Sequence, residues 1–229
     1  MVNCTLQHRY PGIHQQSGST LGGSQRLLKS ATLQRCGCGV VATLDLVRYL
    51  HLYRPGFSTD FFSDANEQVL LPLPLYDLYA QRMRRNYVPV IYPVGSTGFG
   101  LAGGLNRYFR QYHLPLKARW GVPKAQLWQC VAEMLNDDLP VILSVGNRFP
   151  KLWEKRGAAL HRKHADQTFY EAAQAHGHYV TVLSTDDQWL RITSWGREYY
   201  LSKEEFRRYC DSNSLSILCN IVYLTHKQI

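Results

Sequence analysis

Apolar residues recur at helical spacing along four segments in the first two thirds of the chain. In the segment 38–53 the apolar positions are Val41, Leu44, Leu46, Val47 and Leu50. The dipeptide Pro55-Gly56 ends this predicted helix. The same spacing predicts helices over 72–83, 99–112 and 123–135, and Pro123 suits the first turn of the last one.

The remaining third alternates between apolar and polar positions instead. The segments 179–184 and 188–193 alternate on either side of the turn Thr185-Asp186-Asp187, which predicts a β-hairpin. A capping box at 202–205 predicts a helix that ends near residue 211. Further extended segments are predicted at 88–92, 116–120, 140–145, 198–201 and 217–225.

Helices first and an antiparallel sheet afterwards are typical of an α+β domain. Residues 1–30 are polar and rich in Gly, Ser and Gln, so we expect an irregular N-terminal arm. Residues 31–229 are predicted to form a single domain, because no repeat or proline-rich linker divides them. The polar, basic stretch 147–174 is long enough to be a functional loop or to hold an extra helix.

The chain is basic, and its charge is unevenly distributed. Its formal net charge is +9 over 229 residues, and the stretch 78–132 contains eight Lys or Arg but no Asp or Glu. Such a stretch attracts acidic peptides, nucleic acids or anionic surfaces. Since no nucleic-acid-binding motif accompanies it, a solvated basic face is the simpler interpretation, and we do not expect a nucleic acid partner.

No segment indicates secretion or insertion into a membrane. The first nine residues lack the apolar core of a signal peptide, and the apolar runs are short and interrupted by proline. We therefore expect a cytoplasmic protein without a membrane span. In a reducing compartment the cysteines are expected to be free thiols, namely Cys4, Cys36, Cys38, Cys130, Cys210 and Cys219.

Two short segments far apart in the chain carry candidate chemistry. Cys38 begins the apolar helix at 38–53, and His178 immediately precedes the strand at 179–184. A cysteine is nucleophilic as its thiolate, which a helix N-terminus and a neighbouring imidazole both favour. The two residues are therefore candidates for one catalytic site.

Four further segments occur in a fixed order: Cys38-Gly39-Val40-Val41-Ala42, Asp138-Leu139-Pro140-Val141-Ile142, Gly177-His178-Tyr179-Val180, and Gly196 followed by Leu201-Ser202-Lys203-Glu204-Glu205-Phe206. In this order they resemble papain-like cysteine peptidases, and most closely the bacterial bacteriocin-processing peptidases that cleave double-glycine leaders. The segment Thr193-Ser194-Trp195-Gly196 is also similar to the Asn-Ser-Trp-Gly of papain. The resemblance covers residues 34–206 and implies a papain-like fold, with the cysteine helix packed on a C-terminal antiparallel sheet.

The resemblance also implies the chemistry. Cys38 is the expected nucleophile and His178 the expected general base of a hydrolase that attacks an amide or thioester carbonyl. A peptide or protein is the expected substrate, and the basic stretch favours an acidic one. The family requires neither a metal ion nor a cofactor for this reaction.

Two positions depart from the family pattern. Where the family orients the histidine with a carboxylate or amide, this chain has Thr193 or, shifted by one residue, Ser194. A hydroxyl accepts a hydrogen bond but does not balance an imidazolium charge. The family's oxyanion-hole glutamine corresponds to Thr32, and Gln34 reaches the site only through a reshaped loop. These departures imply a weakened peptidase, an acyl transferase or a non-catalytic binding module.

The same residues leave two other sites open. Cys36, Cys38, His176 and His178 offer the two thiols and two imidazoles of a tetrahedral zinc site. The single residue between the cysteines counts against this, because structural zinc sites usually separate them by two to four. A redox pair of Cys36 and Cys38 requires a strained ring through one glycine.

Overall fold

The computed structural model describes residues 3–16, 18–65, 68–150 and 156–227. Within them the chain forms an α+β fold, in which a large antiparallel sheet is packed against helices. The predicted α+β class is confirmed at this level.

The helices follow the predicted apolar periodicity closely. In chain order they are α1 (Ala31–Cys36), α2 (Cys38–Tyr53), α3 (Leu73–Asn86), α4 (Gly98–Gln111), α5 (Leu127–Asn136) and α6 (Lys203–Asn213). Helix α5 begins four residues after Pro123, because Lys124–Gln126 form a 3₁₀ turn first. As the capping box predicts, the Ser202 side chain accepts a hydrogen bond from the Glu205 N–H at the start of α6.

The described strands form two sheets. In chain order they are β1 (Cys4–Thr5), β2 (Gly12–Gln15), β3 (Gly18–Ser19), β4 (Leu70–Pro72), β5 (Leu116–Trp120), β6 (Val141–Val145), β7 (Ala158–Lys163), β8 (Phe169–Ala175), β9 (His178–Thr185), β10 (Trp189–Ser194), β11 (Arg197–Ser202) and β12 (Ile221–His226). The large sheet has the order β5-β12-β6-β9-β10-β11-β7-β8, with β1 paired to β9. The small sheet has the order β3-β2-β4.

Strand β9 lies at the centre of the large sheet and is covered on both faces. Every residue from His178 to Leu183 is buried, and successive side chains of a strand point to opposite faces. Helices α2 and α5 both contact β9. The first residue of β9, His178, is held in register by pairing with Val145 of β6.

Helix α2 is the central helix of the core. Every residue from Cys38 to Leu50 is buried, including the charged residues Asp45 and Arg48, so the helix is enclosed on all sides. It contacts α1, α3 and α4 as well as strands β6 and β9. This packing positions Cys38, the first residue of α2, in the interior near the central strand.

Three segments differ from the sequence-based expectation. The stretch 88–92, predicted to be extended, forms no strand, and only Ile91 makes an isolated bridge, to Gly95. The arm predicted to be irregular contains β1, β2 and β3, and its β1 pairs with β9. These strands are too short to show a periodic pattern. Strands β1 and β2 pair with the distant strands β9 and β4, and β3 pairs with the neighbouring β2. The stretch 147–174 contains β7 and most of β8, which form a hairpin rather than an extra helix. Residues 151–155 of this stretch lie outside the described part of the chain.

Two surface features bear on possible partners. Part of the basic stretch is matched by acidic residues outside it, since Arg82 pairs with Asp64 at 3.3 Å and Lys124 pairs with Asp211. Across the described ranges, no helix combines the length and apolar character needed to cross a membrane.

Candidate functional site

A break between two helices positions Cys38. Helix α1 ends at Cys36, and Gly37 caps both the end of α1 and the start of α2. A side chain at Gly37 would meet the Leu33 carbonyl oxygen at 2.3 Å, so this turn requires glycine. The Cys38 sulfur therefore lies at the start of α2, where it interacts with the N–H groups of Cys38 and Gly39.

His178 is held from two sides. Its Nε2 lies 2.8 Å from the hydroxyl oxygen of Ser194, the last residue of β10. Its ring stacks on Trp195, with centroids 4.6 Å apart and planes 19° from parallel. The chain enters β9 through Gly177, whose φ of +56° favours glycine. The position and the plane of the imidazole are therefore both fixed.

Cys38 and His178 border the same buried cavity. The cavity has a volume of about 20 Å³, which is room for about one water molecule. The Cys38 sulfur also interacts with the backbone N–H of Tyr179, the residue that follows His178. Two residues far apart in the chain are thus brought together at the N-terminus of α2 and the start of β9.

Ser194, rather than Thr193, contacts the histidine. The Thr193 hydroxyl donates a hydrogen bond to the Leu21 carbonyl, although the Thr193 side chain also borders the cavity. Because the Thr193 hydroxyl is bonded to Leu21, only the Ser194 hydroxyl contacts His178.

Gln34 lies away from the cavity. It is an exposed residue of α1, and its side-chain amide donates a hydrogen bond to the Leu28 carbonyl at 2.7 Å. A different glutamine, Gln25, borders the cavity, and its amide donates to the Gln34 carbonyl at 2.9 Å. The sequence analysis missed Gln25 because it belongs to the arm that was expected to be irregular.

A buried carboxylate also borders the cavity. Asp45 follows Cys38 by two helical turns, so both lie on the same side of α2. Its oxygens accept hydrogen bonds from the Gly23 N–H at 2.6 Å and from the Tyr76 hydroxyl at 2.7 Å. The sequence analysis missed Asp45 as well, although an acidic residue inside an apolar helix was a visible signal.

Burial keeps the thiol and the imidazole uncharged. It raises the pKa of the Cys38 thiol above its usual range, against the opposing effect of the Tyr179 N–H. Burial, and then the nearby charge of Arg26, lowers the pKa of His178 to about 3. At neutral pH the site therefore contains a neutral thiol and a neutral imidazole rather than an ion pair.

Burial also raises the pKa of Asp45, to about 6, although the Gly23 N–H, the Tyr76 hydroxyl and the Arg48 charge all lower it. Asp45 is therefore largely ionised at pH 7 and becomes protonated in mildly acidic solution. Its negative charge is accommodated by those same hydrogen bonds and by buried Arg48.

Residues 20–28, which we call the N-terminal strap, cover one side of the cavity. The Leu21 N–H donates to the Gly196 carbonyl at 3.0 Å, and Gly23 and Gln25 border the cavity. The Arg26 guanidinium lies 4.7 Å from the centroid of the Trp195 ring. A side chain at Gly23 would meet the Tyr76 hydroxyl at 1.8 Å, so the strap passes too close for any residue but glycine.

The two alternative uses of the cysteines find little support. The Cys36 sulfur donates to the Pro93 carbonyl at 3.2 Å, and Cys36 does not border the cavity. Both Cys36 and Cys38 are free thiols. Over residues 3–16, 18–65, 68–150 and 156–227, no three His, Cys, Asp or Glu side chains are grouped closely enough to hold a metal ion.

The site therefore combines a thiol at a helix N-terminus, an imidazole hydrogen-bonded to a hydroxyl, and backbone N–H groups near the sulfur. In such a set of groups the thiol can attack a carbonyl carbon, the imidazole can accept the thiol proton, and the N–H groups can stabilise the resulting oxyanion. In comparisons with known proteins, the sequence matches no protein-family model and no curated protein.

Proposed function

We propose that the protein is a thiol-dependent hydrolase or acyl transferase with a papain-like fold, acting on an amide or thioester carbonyl. One observation carries this proposal: Cys38, at a helix N-terminus, and His178, held by Ser194, border one cavity. Cys38 is the nucleophile and His178 the base. A peptide or protein substrate and a cytoplasmic location belong to the same proposal.

The hydrogen bond to Ser194 supports the role of His178 as a base. A proton on Nε2, donated to the Ser194 hydroxyl oxygen at 2.8 Å, leaves the lone pair of Nδ1 free. The stack on Trp195 prevents the ring from turning away from this hydrogen bond. Ser194 is thus the positioning residue for His178.

The reaction follows from these assignments. As the Cys38 sulfur forms a bond to the substrate carbonyl carbon, its proton passes to His178. The oxyanion is stabilised by the N–H groups at the start of α2. His178 then returns the proton to the leaving amine or thiolate as the carbonyl re-forms, and water or an amine releases the acyl group from sulfur.

The protonation state explains why we expect slow turnover. With the pKa of Cys38 raised and that of His178 lowered, the thiol must lose its proton during the attack rather than before it. A substrate also needs more room than a cavity of about 20 Å³ provides. Activity therefore requires the N-terminal strap to move away, which also exposes the site to water.

The same observations favour one alternative, a non-catalytic binding module on this fold. A small cavity with an uncharged thiol and imidazole is also what a scaffold that has lost catalysis contains. The two functions differ in the role of Cys38. Catalysis requires its sulfur, whereas binding of a peptide does not.

The test is acylation by a peptide thioester, followed by mass spectrometry of the intact protein and of its peptides. We expect an acyl adduct on Cys38, no adduct at this position in Cys38→Ala, and an unchanged rate in the control Cys36→Ala. Cys36 is a suitable control because it is buried nearby but does not border the cavity. His178→Gln is expected to slow the acylation by about a hundredfold or more.

A different result of the acylation experiment would contradict the catalytic proposal. If Cys38 acquires no acyl group while other cysteines do, the catalytic proposal is overturned. Retained peptide binding by Cys38→Ala would then identify the binding module.

A further inference from the structure

A second pocket lies between the start of α5 and helix α6. Its volume is about 500 Å³, within the range of small-molecule sites. None of the residues that line it also borders the Cys38 cavity. Its lining residues are Lys124, Ala125, Leu127, Trp128, Phe206, Arg207, Cys210, Ser216, Cys219 and Asn220.

The walls of this pocket are mostly apolar. The rings of Trp128 and Phe206 meet edge to face, with centroids 5.6 Å apart, and Leu127 and the two cysteines add further apolar surface. The side-chain amide of Asn220 is already hydrogen-bonded to both backbone groups of Val122, at 2.9 and 3.0 Å. The walls of the pocket therefore suit the hydrocarbon part of a ligand and present few polar groups that are free to bind it.

Three basic side chains lie at or near the rim of this pocket, and they differ in whether they have a partner. Lys124 pairs with Asp211, and Lys203 donates to the Asp186 carbonyl while lying 5.8 Å from the Trp128 ring centroid. Arg207 is exposed and borders both this pocket and an adjacent open cleft. Among the described residues, Arg207 has no hydrogen-bond or ion-pair partner. A cation without a partner next to an apolar pocket suits a ligand with one anionic group.

We propose that this pocket binds a small amphipathic carboxylate. The hydrocarbon body lies against Trp128 and Phe206, and the carboxylate pairs with the Arg207 guanidinium. The apolar walls contribute affinity through burial of the body, and Arg207 selects the anion over a neutral analogue of the same length.

The experiment measures binding of decanoate and of decanol to the full chain by isothermal titration calorimetry at low ionic strength. We expect saturable one-to-one binding of decanoate, and about tenfold weaker binding of decanol. Arg207→Gln is expected to weaken decanoate binding by about tenfold and to leave decanol binding unchanged.

Two further variants locate the ligand. Arg208→Gln is the matched control, because Arg208 follows in the same helix, pairs with Glu204 at 3.5 Å and does not line the pocket. We expect it to bind both probes as the parent does. Ala125→Phe, at an exposed position on the rim, is expected to weaken binding of both probes by filling the entrance.

Absence of saturable decanoate binding overturns the proposal. Equal losses in Arg207→Gln and Arg208→Gln do so as well, because the effect would then reflect only net charge. Undiminished binding by Ala125→Phe shows that the probe binds elsewhere and also overturns it. None of these measurements depends on the reactivity of Cys38.

Discussion

Replacing His178 by glutamine tests how burial of the candidate site changes the uptake of a proton by its histidine. Glutamine keeps a polar side chain that can pair with the Ser194 hydroxyl, but it does not titrate. Burial lowers the pKa of His178 from 6.5 to about 3, so the folded protein resists a proton that the unfolded chain accepts. Stability contributed by the neutral imidazole is therefore present above pH 6.5 and is lost as the pH falls towards 3.

The size of the effect follows from the two pKa values. Below pH 6.5, each further pH unit costs the folded parent about 1.4 kcal/mol relative to a chain without this histidine. Between pH 7 and pH 5 the loss amounts to about 2 kcal/mol. This is a substantial part of the roughly 5 to 15 kcal/mol that stabilises an ordinary domain.

The assay is urea unfolding of the parent and of His178→Gln at intervals between pH 7 and pH 5, followed by circular dichroism. The quantity of interest is the difference between their free energies of unfolding, because the contributions of the other titrating groups cancel in it. We expect the free energy of unfolding of the parent to fall by about 2 kcal/mol relative to that of His178→Gln as the pH falls from 7 to 5.

A shift of this sign and size shows that the folded site takes up no second proton between pH 7 and pH 5. A pair of thiolate and imidazolium holds the same number of protons as a neutral thiol with a neutral imidazole, so the reactivity of Cys38 towards iodoacetamide, and not this shift, distinguishes the two states. A difference that stays constant, or one that moves in favour of the parent, refutes a folded site that resists protonation of His178.

Three further predictions concern the same region and helix α4. Asp45→Asn is expected to show the opposite pH effect. Burial raises the pKa of Asp45 from 3.8 to about 6, so the stability that this carboxyl group contributes is lost as the pH rises through that range. In the same urea assay, the free energy of unfolding of the parent is therefore expected to rise by about 1 kcal/mol relative to this variant as the pH falls from 7 to 5. Because burial raises the pKa of Cys38, its alkylation by iodoacetamide, read by mass spectrometry, is expected to accelerate only above the ordinary thiol pKa of about 8.5, and rapid reaction below pH 7 contradicts this. In α4, Gly98→Ala is expected to cost about 1 to 3 kcal/mol in thermal or urea unfolding, because its Cβ would meet the Trp120 ring at 2.0 Å. The matched change Gly103→Ala, which has open space, is expected to stabilise by about 0.5 to 1 kcal/mol, and equal effects of the two changes would show that the Trp120 contact is not decisive.

The helices and the central hairpin could be predicted from the sequence because their signals are local. Helix α2 is rich in apolar residues and ends at Tyr53, just before Pro55-Gly56, and the β9–β10 hairpin alternates around an acidic turn. The arm strands β1 to β3 could not be predicted, because each has at most four residues, which is too short to show alternation. In addition, β1 and β2 pair with strands that lie far away in the sequence.

The candidate site was predicted only in part. Cys38 and His178 stood out by their positions before a helix and a strand, but Thr193 and Ser194 were equally plausible partners for the histidine. The β9–β10 pairing contains a register shift between Arg191 and Ile192, and such a one-residue shift changes which side chain faces a given partner. Gln25 enters the site only because the strap folds back over it.

By itself, the sequence determined the fold class, the core helix that begins at Cys38 and the strand that begins at His178, because periodicity and turn residues act over a few neighbours. Tertiary structure alone decided that Ser194 contacts His178, that the N-terminal strap covers one side of the cavity, and that Asp45 faces it. It also decided the charge of the site. A pKa depends on desolvation by every element packed around a group, and the elements that bury Cys38 and His178 come from distant parts of the chain.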